Sequence, residues 1–407
     1  MIKNRDFIIL LIGRFLANFG DSFYLIATMS FLFQYTGSSF YTGMALFLTS
    51  MMAIFQVLLS PILDRVPMKK FLVCSQCIQG VLLLIIPYLY RMGSLKVYHI
   101  LIIIPVLSLA NQLVYPGQLA LLPKIVEQKD LVKANSLFSI AYQGSDAIFN
   151  GLSGYLFAFV GICFAYYINS IIFFITAIMF MMLSSRIQEK EKKESTISWK
   201  RHWNDLKLGL ILWKNPILKE LLIGVIFINF SATAIFAILP EYSVNNGYYG
   251  ILLSATGIGV FIGSIVANTE CMKKIRLGKL YPVCVLITAI FWASISMITI
   301  EGICGKVFVF LVFLVGWICV GILNIYSQTI VQTIVSKEKM GVALSAMIGL
   351  SVAFAPIGAL LSGVLSRFYN TRMIILLMVS LIFIIGCYWA MNGNIRSMET
   401  IEKVGIK

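Results

Sequence analysis

The sequence predicts an all-α membrane protein of twelve transmembrane helices in two six-helix bundles, with both termini inside. Three observations carry this. Hydrophobic types make up 59% of the 407 residues and charged types only 12%, about half of the ~25% charge that a water-facing globular surface holds. Uncharged apolar runs recur along the whole chain, each near the length of about 20 residues that crosses a bilayer. Lysine and arginine are also distributed unevenly between alternate loops, which sets orientation.

The first six spans are expected at roughly 7–33, 40–63, 70–91, 97–122, 134–160 and 162–185. The second six are expected at roughly 217–240, 246–269, 280–299, 306–334, 341–366 and 372–392. Between them lies the only long polar segment, which opens on the charge run RIQEKEKKEST. It closes on a stripe of Trp199, Trp203, Leu206, Leu210 and Trp213 with Lys200, Arg201 and Lys207 off the stripe. That pattern suits a helix lying in the membrane interface; an extension of the seventh span is the alternative. The organisation expected is a bundle over 1–185, a linker over 186–216, a second bundle over 217–395 and a tail over 396–407.

With the N-terminus inside, the inner segments hold 26 of the 32 lysines and arginines and the outer segments five, with Arg14 inside the first span. An odd span count would scramble this asymmetry. The net charge of +15 sits between apolar runs, which places the chain at a membrane and argues against a nucleic-acid partner. The eight cysteines lie in or beside apolar runs and read as small buried apolar residues. Cys74-Ser-Gln-Cys77 has metal or redox spacing but no second pair, and the only histidines, His99 and His202, sit near loops. No metal, cofactor or enzyme site is expected. The apolar N-terminal run is too long for a cleaved signal and carries Arg14 and Asp21. Gly257-x-Gly259-x-x-x-Gly263 lies inside a span with no preceding strand, so close helix packing explains it better than a nucleotide loop.

An internal repeat links the halves. The fifth span ends in Leu152-Ser153-Gly154 and the eleventh in Leu361-Ser362-Gly363. Similarity between halves is expected of transporters built from repeated bundles.

A charge in the bilayer core costs at least about 2.5 kcal/mol, so each intramembrane charge calls for a partner or a task. Asp146 in the fifth span and Asp21 in the first are candidate proton-coupling residues, because burial disfavours the charged form of a carboxylate. Arg14 and Asp21 stand seven residues apart on one helix face. That spacing predicts a pair bridged by another helix, with no direct bond. For Arg14 the alternatives are snorkelling to the inner surface, a site for an anionic substrate group, and a partner for Asp146. A cavity lining is offered by Asn18, Asn111, Gln112, Gln118, Gln143, Asn150, Asn229, Asn324, Tyr326 and Gln328, with Trp317 as an aromatic wall. Hydrogen bonds between helices are the competing role for each polar member.

The pattern resembles the major facilitator superfamily. The loop after the second span reads Ser60-Pro-Ile-Leu-Asp64-Arg65-Val-Pro67-Met-Lys69-Lys70. It matches the family's Asp-Arg and paired basic residues, with Ser60 and Pro67 where the family has glycine. Gly13-Arg14 through Gly20-Asp21, Tyr115-Pro116-Gly-Gln118 and Lys133-Ala134-Asn135-Ser136-Leu137 are similar to the branch holding macrolide efflux proteins and the enterobactin exporter. The resemblance implies a major facilitator fold with the polar residues of spans one, four, five, seven and ten along the central path. It also implies a gating loop of Asp64, Arg65, Lys69 and Lys70. The family's Gly-Pro motif of the fifth span is replaced by Gly144-Ser-Asp146, and an Ala355-Pro356-Ile-Gly358 appears in the eleventh.

The expected function is secondary active export of an amphipathic small molecule, drug-like or a secreted metallophore, in exchange for protons across a bacterial plasma membrane. Small-molecule substrate, protons and membrane lipid are the expected partners of a monomer. A lipid or lysolipid flippase of the same fold and a non-transporting membrane partner are the alternatives.

Overall fold

A computed structural model describes residues 4–63, 67–127, 130, 134, 137–138, 141, 145–184, 215–243, 246–298, 302–334, 347 and 349–401. Among the described residues the secondary structure is entirely helical. The elements are α1 (Arg5–Thr36), α2 (Ser39–Leu63), α3 (Met68–Arg91), α4 (Val97–Ile125), α5 (Ser145–Met181), α6 (Pro216–Ser243), α7 (Asn246–Ala267), α8 (Glu270–Lys273), α9 (Leu277–Ile295), α10 (Gly302–Ile334), α11 (Ala355–Leu365), α12 (Thr371–Met391) and α13 (Gly393–Arg396). Nine helices among the described residues are long and apolar enough to cross a membrane, and shorter apolar helices run Ser39–Phe55 and Gly349–Leu365. The amphipathic linker pattern around Trp199, Trp203 and Trp213 lies outside the described residues.

Capping sets several helix ends. The Asn4 carboxamide oxygen accepts from the backbone N–H of Asp6 at 3.0 Å and also from that of Phe7. Asn370 caps α12 in the same way through Met373 N–H at 2.9 Å. Such caps satisfy amide donors that the first helical turn leaves open.

The helix α5 contains a reversal. Gly161 has φ of 71°, a backbone conformation that costs little only without a Cβ. Before it, contacts climb α1: Ser145 meets Asn18, Phe149 meets Phe19, and Phe157 packs with Phe23 and Ala27. After it they descend: Tyr166 meets Thr28, Asn169 and Phe173 meet Gly20, and Phe180 meets Gly13. The two arms are therefore an antiparallel hairpin on α1, turned at the position where the sequence separates its fifth and sixth spans.

The helices group into two packing units. Unit 1 holds α1, α2 from Leu48, α3, α4, α5 and α7 as far as Ser254. In it α1 and α3 both pack on α5, and α3 packs on α4. Its apolar core gathers Phe7, Leu10, Leu72, Val114, Leu121 and Phe180. Unit 2 holds the start of α2 to Phe47, α6, the rest of α7, and α8 to α13. In it α9 packs on α12 and α10, and α6 packs on α11 and α12.

Each unit thus contains half a helix from the opposite half of the chain, and each such half-helix docks through glycine onto a repeat motif. In unit 1 a Cβ on Gly250 would lie 2.5 Å from the Cα of Gly154. In unit 2 a Cβ on Gly43 would lie 2.7 Å from the Cα of Gly363 and 2.6 Å from the Ala359 carbonyl oxygen. The Leu-Ser-Gly repeat marks two backbone-to-backbone crossings of the kind that small residues allow. Gly250→Val and Gly43→Val each put a side chain into backbone that cannot turn aside. Each is expected to destabilise the protein by about 2 kcal/mol or more, read as a fall in the thermal unfolding midpoint in detergent. Gly349→Ala, where no atom of another element among the described residues lies within 4 Å, should leave it unchanged or slightly raised; equal midpoints for all three variants would contradict the crossings.

Candidate functional site

Two helices of unit 1 each present polar side chains on one stripe. Helix α1 carries Asn18, Asp21, Ser22 and Leu25, and α4 carries Ser108, Asn111, Gln112 and Tyr115. Both sets follow the i, i+3, i+4, i+7 spacing that places residues on a single helix face. Between them lies a half-open cavity of about 330 Å³, lined also by Tyr24, Thr49, Gln79, Asn150 and Phe173. Its wall is polar and apolar in about equal parts, the apolar part coming from Leu25, Leu107, Pro116 and Phe173, and Asp21 is its one described carboxylate.

Beside the cavity lies an ion pair. Arg14 Nη2 sits 3.2 Å from Asp21 Oδ2; the Arg14 side chain is 0% exposed and that of Asp21 17%. The same nitrogen lies 3.5 Å from Asn18 Oδ1, and the guanidinium carbon lies 5.8 Å from the Tyr115 ring centre, within cation–π range. Asn18 Nδ2 in turn donates to Ser145 Oγ at 2.7 Å, and Ser145 Oγ donates to the Ala141 carbonyl. The chain of contacts links α1, α4 and α5.

This corrects two expectations. Arg14 does not snorkel, and it bonds Asp21 directly. The two Cα positions are about 10.5 Å apart along the axis at helical rise, and Cα spacing alone predicts no contact. The extended arginine spans most of that distance along the helix, and the aspartate Cβ leans back toward the N-terminus and closes the rest. A lone buried charge is costly, and pairing removes most of that cost.

The other expected residues divide by location. Asn18, Asp21, Asn111, Gln112 and Asn150 line the cavity. Gln118 is fully buried away from it, and neither polar atom of its side chain has a partner among the described residues. Asn229, Trp317, Asn324, Tyr326 and Gln328 belong to unit 2. There Asn229 Nδ2 donates to the Ser351 carbonyl at 2.9 Å and the Tyr326 hydroxyl donates to that of Ala267 at 2.8 Å, both helix-to-helix bonds. Trp317 stacks on Phe236 with centroids 5.5 Å apart and planes 7° apart. Asn324 and Gln328 are exposed one turn apart on α10. Lys69 Nζ donates to the Leu183 carbonyl, tying α3 to the end of α5, and Lys70 is exposed. Asp64, Arg65 and Gln143, and the side chain of Asp146, lie outside the described residues.

Sequence reasoning missed Ser22, Tyr24, Thr49, Gln79 and Ser108 as lining residues and took Tyr115 only as part of a motif. The available signal was the shared helical stripe on α1 and α4. It also missed two carboxylates at the ends of α6. Glu241 accepts from the Ser39 hydroxyl, and Glu220 accepts from the Tyr388 hydroxyl.

Residues 10–347 match the Major Facilitator Superfamily. The chain belongs to that superfamily. As a member it is a multi-pass membrane transporter with the superfamily's all-helical fold. It is 23% identical over 386 residues to the uncharacterized MFS-type transporter YvqJ of Bacillus subtilis (strain 168), covering 92% of this chain and 89% of that one. It is 24% identical over 397 residues to YfmI of the same organism, covering 93% and 96%. Among solved structures it superposes on the nucleoside transporter NupG with a TM-score of 0.75 at 14% identity, covering 94% of this chain and 98% of that one. A bacterial homologue of the iron transporter ferroportin gives 0.68 at 14% identity, covering 95% and 99%. These two likenesses are of fold.

Asp21→Asn removes the carboxylate that Arg14 meets at 3.2 Å and is expected to cost about 3 kcal/mol of stability. Arg14→Met combined with Asp21→Asn removes both charges and should recover most of that loss. Thermal unfolding of the purified variants measures both, and a double variant no more stable than Asp21→Asn would show that the pair is not the cause.

Proposed function

We propose that this protein exports an amphipathic small molecule in exchange for protons, by alternating access of residues 1–185 against 217–395 in a bacterial plasma membrane. The proposal includes twelve spans with both termini cytoplasmic. The single observation that carries it is the polar cavity edged by the Arg14–Asp21 pair. Amides and hydroxyls there offer donors and acceptors to a neutral polar group, and the apolar part of the wall strengthens each such bond by displacing water.

The same geometry supports a cationic cargo over an anionic one. Arg14 is wholly buried and already paired, so an anionic metallophore gains little from it. Asp21 reaches the cavity wall and suits a lipophilic cation. We assign proton coupling to Asp21 and to Asp146, which stands four residues before the lining residue Asn150. Proton exchange on a carboxylate that also faces the cargo couples the two, because occupancy by either disfavours the other.

Inside-out vesicles with an acidic lumen test the reading through uptake of a fluorescent lipophilic cation. Vesicles carrying the protein should accumulate dye well above vesicles without it. Asn111→Leu with Gln112→Leu removes two polar lining groups and should raise the half-saturating dye concentration on the order of tenfold. Asp146→Asn should abolish gradient-driven accumulation while leaving dye exchange intact. Wild-type uptake equal to that of empty vesicles, or uptake indifferent to the gradient, would overturn the proposal.

A further inference from the structure

Unit 2 carries a hollow opposite in character to the polar cavity of unit 1. It is a groove of about 370 Å³ between α9 and α10, lined by Val283, Cys284, Ile287, Val315, Ile318 and Cys319. Among the described residues no polar side chain other than Lys279 borders it. The face around it is apolar and open: Val283 is 51% exposed and Ile290, two turns further along α9, is 59% exposed. A helix face with exposed apolar groups and no hydrogen-bonding side chains is a lipid-facing surface in a membrane protein.

One end of this groove is strongly cationic. Lys279 both lines it and is exposed, the placement in which a lysine lays its alkyl stem on an apolar wall and holds its ammonium in water. Lys273, Lys274 and Arg276 stand just before α9, and exposed Arg396 lies on α13, whose backbone packs against Gly278. The carboxylates nearby are Glu270, 2.9 Å from Lys273, and Glu399, 3.4 Å from Arg276. Lys274 and Lys279 have no ion-pair partner among the described residues. The opening amides of α9 are already used, because Leu277 N–H donates to the Glu399 carbonyl and Gly278 N–H to that of Met398. The excess positive charge therefore resides on side chains that reach outward.

We propose that this groove is a binding site for an anionic phospholipid, with an acyl chain between α9 and α10 and the phosphate head at Lys279 and Lys274. The two halves of the site match the two halves of that amphiphile. An apolar slot alone accepts any acyl chain; a basic cluster at its mouth selects a net negative head over a zwitterionic one. A soluble anion gains only the head contacts, and a second protein chain has no polar groups on the groove wall to bond.

Brominated lipids read the site locally. The full chain carrying Val283→Trp is reconstituted in bilayers in which either phosphatidylglycerol or phosphatidylcholine bears brominated acyl chains, and tryptophan quenching is compared at equal mole fraction. The six native tryptophans give a background measured on the wild type. The expected result is local enrichment of phosphatidylglycerol at Val283→Trp on the order of fivefold, with none at Ile290→Trp on the same helix. Lys274→Gln with Lys279→Gln should abolish that enrichment, and millimolar inorganic phosphate should leave it unchanged. Native mass spectrometry of the chain without the tryptophan reporter should show the same two substitutions lowering retained phosphatidylglycerol. Equal quenching by both lipids, enrichment that survives the double substitution, or displacement by inorganic phosphate would each overturn the proposal.

Discussion

A guanidinium with no exposed surface inside an apolar helix must be neutralised, and the first packing unit is arranged around meeting that demand. Arg14 is held by Asp21 on its own helix, by Asn18 between them, and by the ring of Tyr115 on α4. Asn18 extends the arrangement to α5 through Ser145. Because the pair is net neutral, the adjoining cavity can be polar without imposing an unbalanced field. Because Asp21 alone of the pair reaches the cavity wall, the pair also presents a chemical group to whatever enters.

Glycine supplies the complementary constraint on the backbone. The repeat motifs at Gly154 and Gly363 receive Gly250 and Gly43 at distances no side chain fits. Helices crossing this closely are joined by contact area with few specific bonds, since lipid removes the hydrophobic drive between helices. Among the described residues, the two serines preceding these glycines, Ser153 and Ser362, are both fully buried with hydroxyls lacking partners. The serine of the motif is therefore buried in the same way in both units. The two hollows divide the chemistry between them: polar and charge-balanced in unit 1, apolar with a cationic mouth in unit 2.

Much of the fold was legible in the sequence, because a bilayer demands long apolar segments and any segment of that length declares itself. Even the reversal at Gly161 fell between two expected spans. Helix pairing was less legible: nothing in the apolar run of α2 marks Gly43 as the residue that meets Gly363. The site was legible in residue type but not in geometry. Asn111, Gln112 and Asn150 were read as lining and do line the cavity, yet Gln118, a little under two turns past Gln112 on α4, turns into packed protein. Arg14 was misjudged because its reach was measured between Cα positions and not along its side chain. Glu220 and Glu241 were passed over because they sit at the ends of an otherwise apolar span.

The central claim is that Asp21 serves the transport cycle as well as neutralising Arg14. Uptake by the Arg14→Met, Asp21→Asn double variant separates these roles, because that variant keeps a neutral, packed α1 without the carboxylate. The account predicts a stable protein in inside-out vesicles that no longer accumulates a lipophilic cation under an acidic-lumen gradient. Accumulation at the wild-type level by that variant would show the pair to be structural only and would contradict the account.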